Sequence, residues 1–137
     1  CADLSGPGTP FPVVMAKFAL IIEDDPAQRR LLDRMLTAAG WRIATAPDGE
    51  AGLAAARSHP PDIIVLDVMM PRLNGYQVCR QLKADPATRA IPVVMVTSKD
   101  QPADEYWAKE VGADAFVPKP VDVIELAALL DSLTRSA

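Results

Sequence analysis

Short apolar, often β-branched runs alternate with longer stretches whose apolar positions recur every three or four residues, and this rhythm begins at Lys17. Phe18-Ala19-Leu20-Ile21-Ile22 is apolar throughout, the pattern of a strand covered on both faces. Asp25-Pro26-Ala27-Gln28 then reads as an N-cap, a proline at the first helical position and a glutamine placed to close a capping box. Leu31, Leu32, Met35, Leu36 and Ala39 form the apolar stripe of that helix, and Gly40 ends it. Arg42 to Ala46 is a second strand, and Pro47-Asp48-Gly49-Glu50 opens a second helix running to about Arg57. After the Ser58-His59-Pro60-Pro61 break, Ile63-Ile64-Val65-Leu66 is the clearest buried strand.

The alternation continues with a loop from Met70 to Asn74, a helix from Gly75 to about Ala84, and a strand from Val93 to Val96. A fourth helix is predicted over about Ala103 to Val111 and closes at Gly112. Ala115-Phe116-Val117 is a short fifth strand, and Val123, Leu126, Ala127 and Leu130 line a last helix. Tyr106 and Trp107 point about 100 degrees apart on the fourth helix, so they cannot share one stripe. The spacing of Ala103, Trp107 and Val111 turns Trp107 inward and leaves Tyr106 as the candidate for a partner surface. Five strand–helix units joined by right-handed crossovers predict an α/β fold, a three-layer sandwich around a parallel sheet.

Composition changes this picture little. The 137 residues suit one domain, and 50% hydrophobic with 23% charged residues is ordinary for a globular chain. Residues 1–14 (CADLSGPGTPFPVV) lack regular patterning and read as a tail, tag or linker, with the domain occupying 15–137. The net charge of −4 argues against direct nucleic-acid binding, and no apolar run approaches the roughly 18 residues of a membrane span. Two cysteines without metal-ligand or disulfide spacing point to a reducing, cytoplasmic setting.

Sites in open α/β sheets form at the carboxyl ends of the strands. The first predicted strand ends in Glu23-Asp24-Asp25, the third in Asp67, the fourth in Thr97-Ser98 and the fifth in Pro118-Lys119-Pro120. If the first and third strands are neighbours, Glu23, Asp24 and Asp67 share a pocket. Carboxylates about 5 Å apart repel by roughly 3 kcal/mol per pair even at an effective dielectric near 20, so such a trio calls for a cation. Hard oxygen ligands without sulfur or imidazole suit Mg²⁺ or Mn²⁺ rather than zinc. Lys119 and Thr97 would add a positive charge and a hydroxyl donor for a phosphoryl group. The composite predicts phosphoryl transfer onto an aspartate. His59 sits before the third strand, away from this edge, and reads as a surface residue.

These residues resemble a known family. The pair Glu23-Asp24 after LII, the run IIVLDVMMPRLNGYQ around Asp67, the VMVTS run with Thr97 and the GADAFVPKP segment with Lys119 are similar to bacterial response-regulator receiver domains, the CheY-like family. The TSKDQPADEYW stretch also resembles stand-alone receivers of twitching-motility systems. The family resemblance implies a doubly wound, flavodoxin-like sheet in strand order 2-1-3-4-5. It implies that Asp67 is the phosphoacceptor and that Glu23, Asp24, Asp67 and the backbone carbonyl of Met69 hold Mg²⁺ or Mn²⁺. It implies phosphoryl-stabilising roles for Thr97 and Lys119, switch roles for Thr97 and Phe116, and a cis peptide between Lys119 and Pro120.

The implied partners are a sensor histidine kinase or a histidine phosphotransfer protein, a downstream protein, and a second copy, the last meeting the face made by the fourth helix, fifth strand and fifth helix. The domain would be an acceptor with intrinsic self-phosphorylation and self-dephosphorylation chemistry rather than a conventional enzyme. Two other readings compete with it. A degenerate receiver would act only as a constitutive binding module. A haloacid-dehalogenase-type phosphohydrolase would need a second aspartate where this chain has Met69.

Overall fold

The computed structural model describes residues 17–98 and 102–134, so the reading of 1–14 as a tail lies outside the described residues. Strands β1 (Phe18–Ile22), β2 (Arg42–Ala46), β3 (Ile63–Asp67), β4 (Val93–Thr97) and β5 (Ala115–Pro118) form one sheet in the order β2-β1-β3-β4-β5. All four pairings are parallel. Helices α1 (Pro26–Ala38), α2 (Gly49–Ser58), α3 (Gly75–Ala84), α4 (Pro102–Glu110) and α5 (Val123–Thr134) follow the strands in turn. Fold class and strand order are those expected from the sequence.

Alternation along each strand sends neighbouring side chains to opposite faces of the sheet. Leu20, Ile22, Ile64, Leu66, Val93 and Met95 pack against Leu53 of α2, Val78, Cys79 and Leu82 of α3 and Ala108 of α4. Ala19, Ile21, Ile63, Val65, Val94 and Val96 pack against Leu32 and Leu36 of α1 and Leu126 and Leu130 of α5. Every residue of β3 and β4 is buried, which explains their unbroken apolar runs. Each large aliphatic side chain so buried contributes about 1.5–3 kcal/mol.

Local chemistry sets the helix ends. Asp48 caps α2 by accepting from the Ala51 N–H at 2.8 Å. Asn74 and Gln77 form a reciprocal capping box at α3. Gly40 (φ 100°) and Gly112 (φ 96°) take the left-handed conformation just after α1 and α4, where a Cβ would be strained.

Three expectations need correction. Asp25 caps α1 through the Ala27 N–H at 3.0 Å, but Gln28 closes no capping box. The Asp25 N–H is taken instead by Oε2 of Glu23 at 3.2 Å, which frees the Gln28 side chain to point elsewhere. Leu31 is 57% exposed and Ala39 also faces solvent, so the buried stripe of α1 is narrower, centred on Leu32 and Leu36. Trp107 is 53% exposed rather than inward. The buried face is turned by one residue, to Ala108 and Val111, and Trp107 packs edge-to-face on Tyr106 with ring centroids 5.3 Å apart.

Candidate metal and phosphoryl site

Strand order reverses at β1, whose neighbours β2 and β3 lead away in opposite directions, and the crevice beyond the carboxyl ends of β1 and β3 is the expected site. Pairing of Ile22 with Leu66 brings Glu23, just past β1, beside Asp67 at the end of β3. Glu23, Asp24 and Asp67 each offer an oxygen atom, and these atoms lie within 4.8 Å of one another. Glu23 and Asp67 are buried and Asp24 is half-buried, so the trio opens to solvent on one side.

The cation that offsets these acids comes from the far end of the chain. Lys119 Nζ lies 3.0 Å from Glu23 Oε1 and 3.3 Å from Asp67 Oδ1, and it also donates to Gln28 Oε1. The Lys119 N–H donates to the Thr97 carbonyl at 2.8 Å, anchoring the β5–α5 loop on β4. The Lys119–Pro120 peptide is cis. Burial raises the Asp67 carboxyl to about 6, the charge of Glu23 adds to the rise, and Lys119 opposes it.

Thr97 is fully buried at the end of β4 and pairs with Pro118 of β5. Phe116, opposite Met95, is half-buried against the α2/α3/α4 side of the core. Met69 lies two residues beyond Asp67 in the β3–α3 loop, its side chain 48% exposed. Tyr106 is 56% exposed on α4, away from the carboxylates in sequence and on another element. His59 is an exposed residue at the end of α2.

Two side chains escaped the sequence reading. Arg29 Nη1 donates to the carbonyls of Glu23 (2.9 Å) and Asp24 (3.3 Å), fixing the backbone that presents both acids. Gln28 holds Lys119, as described. Both lie in the first turns of α1, which starts at the carboxyl end of β1, and that placement was the available signal. Beside Lys119 a cleft of about 480 Å³ opens between α1 and the β5–α5 loop, lined by Gln28, Leu31, Leu32, Met35, Lys119 and Val121.

The donor set fits a hard divalent cation. Three carboxylates converge without a thiolate or imidazole, and the trio remains an acid excess even with Lys119 in place.

Residues 19–131 match the family model described as the response regulator receiver domain. The chain belongs to the response-regulator receiver family. This receiver domain is 47% identical over 121 residues to the response regulator PleD of Caulobacter vibrioides, covering 88% of the chain but 27% of PleD. It is 45% identical over 103 residues to protein PilH of Pseudomonas aeruginosa, covering 75% of the chain and 85% of PilH. The chain thus spans about a quarter of one relative and most of the other.

Among solved structures, the chemotaxis protein CheY4 of Vibrio cholerae superposes with a TM-score of 0.82 at 27% identity, over 87% of this receiver and 99% of CheY4. The receiver domain of the sensor histidine kinase PA1611 from Pseudomonas aeruginosa, solved with a magnesium ion in its active-site cleft, gives a TM-score of 0.83 at 25% identity. That match covers 89% of this receiver and all of the PA1611 domain. Among the described residues no helix is long and apolar enough to cross a membrane.

Proposed function

We propose that this receiver is a phosphorylation-controlled signalling module whose Asp67 accepts a phosphoryl group from a histidine of a sensor kinase or phosphotransfer protein. The supporting observation is the single ammonium of Lys119 set between Glu23 and Asp67 at the carboxyl edge of the sheet. With its carboxyl titrating near 6, Asp67 is mostly the nucleophilic carboxylate at pH 7.

An Asp67 oxygen attacks phosphorus while the phosphorus–nitrogen bond to the donor imidazole breaks. The nitrogen keeps the electron pair and, because the donor's other ring nitrogen carries a proton, the donor is left as neutral imidazole. Lys119 balances charge on the transferred group, and the Thr97 hydroxyl donates to one of its oxygens. Bound Mg²⁺ or Mn²⁺, held by Glu23, Asp24, Asp67 and the Met69 carbonyl, would neutralise further charge on the phosphoryl oxygens. Arg29 keeps the Glu23 and Asp24 backbone in place throughout.

Once phosphorylated, Asp67 favours an arrangement in which Thr97 and Phe116 have moved, and the population shift is read on the α4, β5 and α5 face. The exposed Tyr106 on that face serves a downstream protein or a second copy of the chain. The chemistry is that of a cytoplasmic acceptor that also assists its own phosphorylation and dephosphorylation. The intact set of three acids and a lysine supports a working site over a purely constitutive binding module.

Acetyl phosphate with Mg²⁺ should add one acid-labile phosphate to the wild-type chain and none to Asp67→Asn. Labelling that survives in Asp67→Asn overturns the assignment.

A further inference from the structure

We propose that Gln28 is a positioning residue that shares the Lys119 ammonium and so sets how strongly this lysine competes with a divalent cation for Glu23 and Asp67. The inference rests on the metal and phosphoryl reading of the site and deepens it.

An ammonium has three N–H donors, and here three acceptors surround it: Glu23 Oε1 at 3.0 Å, Asp67 Oδ1 at 3.3 Å and Gln28 Oε1. Two of them belong to carboxylates of the trio that would hold the metal, so lysine and metal contend for the same two side chains. Gln28 is the neutral third acceptor and comes from α1, an element that contributes no acid to the trio. Its pull restrains the ammonium from settling fully onto the carboxylates, and the Asp67 contact is the longer of the two ion pairs.

The glutamine is free for this duty. The cap of α1 is completed by Asp25 and by Glu23 Oε2, without Gln28. Methionine at position 28 keeps side-chain length and helix propensity but removes the acceptor. The ammonium then commits to Glu23 and Asp67, and the cation meets a stronger competitor. Glutamate at position 28 draws the ammonium the other way.

Mn²⁺ uptake by the full chain, followed by titration calorimetry with the melting midpoint of each variant as a second readout, tests this. Gln28→Met should weaken Mn²⁺ binding about fivefold and Gln28→Glu should strengthen it by a similar factor. In a Lys119→Met background the Gln28→Met effect should shrink to within about twofold, because its route runs through the lysine. An equal loss in both backgrounds, or no loss in the native one, overturns the role of Gln28 while leaving the metal site standing. If Lys119→Met does not fold, opposite signs for the two Gln28 variants support the proposal and equal signs overturn it. A wild-type chain that takes up no Mn²⁺ overturns the underlying reading of the site instead.

Discussion

Lys119 Nζ stands 3.0 Å from Glu23 Oε1, a contact that bridges 96 positions of sequence and ends on a carboxylate only 2% exposed. A charge buried that deeply depends on its partner, and removing one member of such a pair typically costs about 3–5 kcal/mol. Lys119→Met should therefore lower the stability of the metal-free protein by about 3 kcal/mol in urea unfolding. Millimolar Mg²⁺ should return much of the loss, because it supplies the missing charge. An unchanged unfolding midpoint without metal would show that the ion pair has no structural weight.

The raised carboxyl of Asp67 has a pH signature. In the unfolded chain it titrates near 3.8 and in the folded chain near 6. Between those values the folded protein holds a proton that the unfolded chain has released, so stability falls as pH rises through this window and the loss is complete above it. Asp67→Asn lacks this dependence. Its melting temperature in EDTA, compared with wild type, should gain steadily from about pH 4 to pH 6 and then level off. Parallel curves would place the Asp67 titration elsewhere.

Gly75 is the point where α3 meets the end of β3. A Cβ there would sit 2.6 Å from the Asp67 carbonyl oxygen and 2.7 Å from Val68 Cα, both backbone atoms that cannot rotate away. Gly75→Ala should cost about 2–3 kcal/mol of stability and weaken Mn²⁺ binding as the Asp67 backbone is displaced. Urea melts and metal titration on the same sample check both effects, and full stability would contradict the close approach.

Met69 brings neither an acid nor an amide to the position two residues beyond Asp67, and it is about half exposed. With no group to orient an attacking water, the aspartyl phosphate should persist for minutes or longer. Met69→Asn should shorten its life about tenfold, a modest part of the range open to general acid–base assistance. Loss of label after donor removal measures both. A wild-type half-life of seconds would contradict the expectation.

Trp107 provides an optical check on α4. Its exposed ring should be quenched readily by acrylamide, while Trp41, 6% exposed in the core, should be shielded. Trp107→Phe should remove most of the quenchable emission with a stability change under about 0.5 kcal/mol, as befits a surface position. Quenching that is unaffected by the substitution would return Trp107 to the interior.

Much of this architecture was legible because the forces that set it are local or topological. Ile63 to Leu66 reads as a strand since both its faces are covered, and Asp25-Pro26 marks a helix start through its cap and ring geometry. Placement of Glu23, Asp24 and Asp67 together followed from strand order once the first and third strands were neighbours. What escaped was the choice between adjacent helical residues and the long-range side-chain partner. Helical spacing admits Trp107 or Ala108 as the inner residue, and the structure buries Ala108 while Trp107 stays outside. Gln28 has the right spacing for a capping box, yet its partner lies 91 positions away, beyond anything a local pattern encodes.

The sheet order has a consequence for how the site comes into being. Its acids are contributed by β1 and β3, neighbours made early, whereas Lys119 follows β5 at the sheet's edge. A ribosome adding about 5–20 residues per second needs roughly 3–10 s to travel from Asp67 to Lys119. Throughout that interval a nascent chain carries the acidic trio without its own counter-charge. The ammonium that sits between Glu23 and Asp67 in the folded chain is thus the last part of the site to be made.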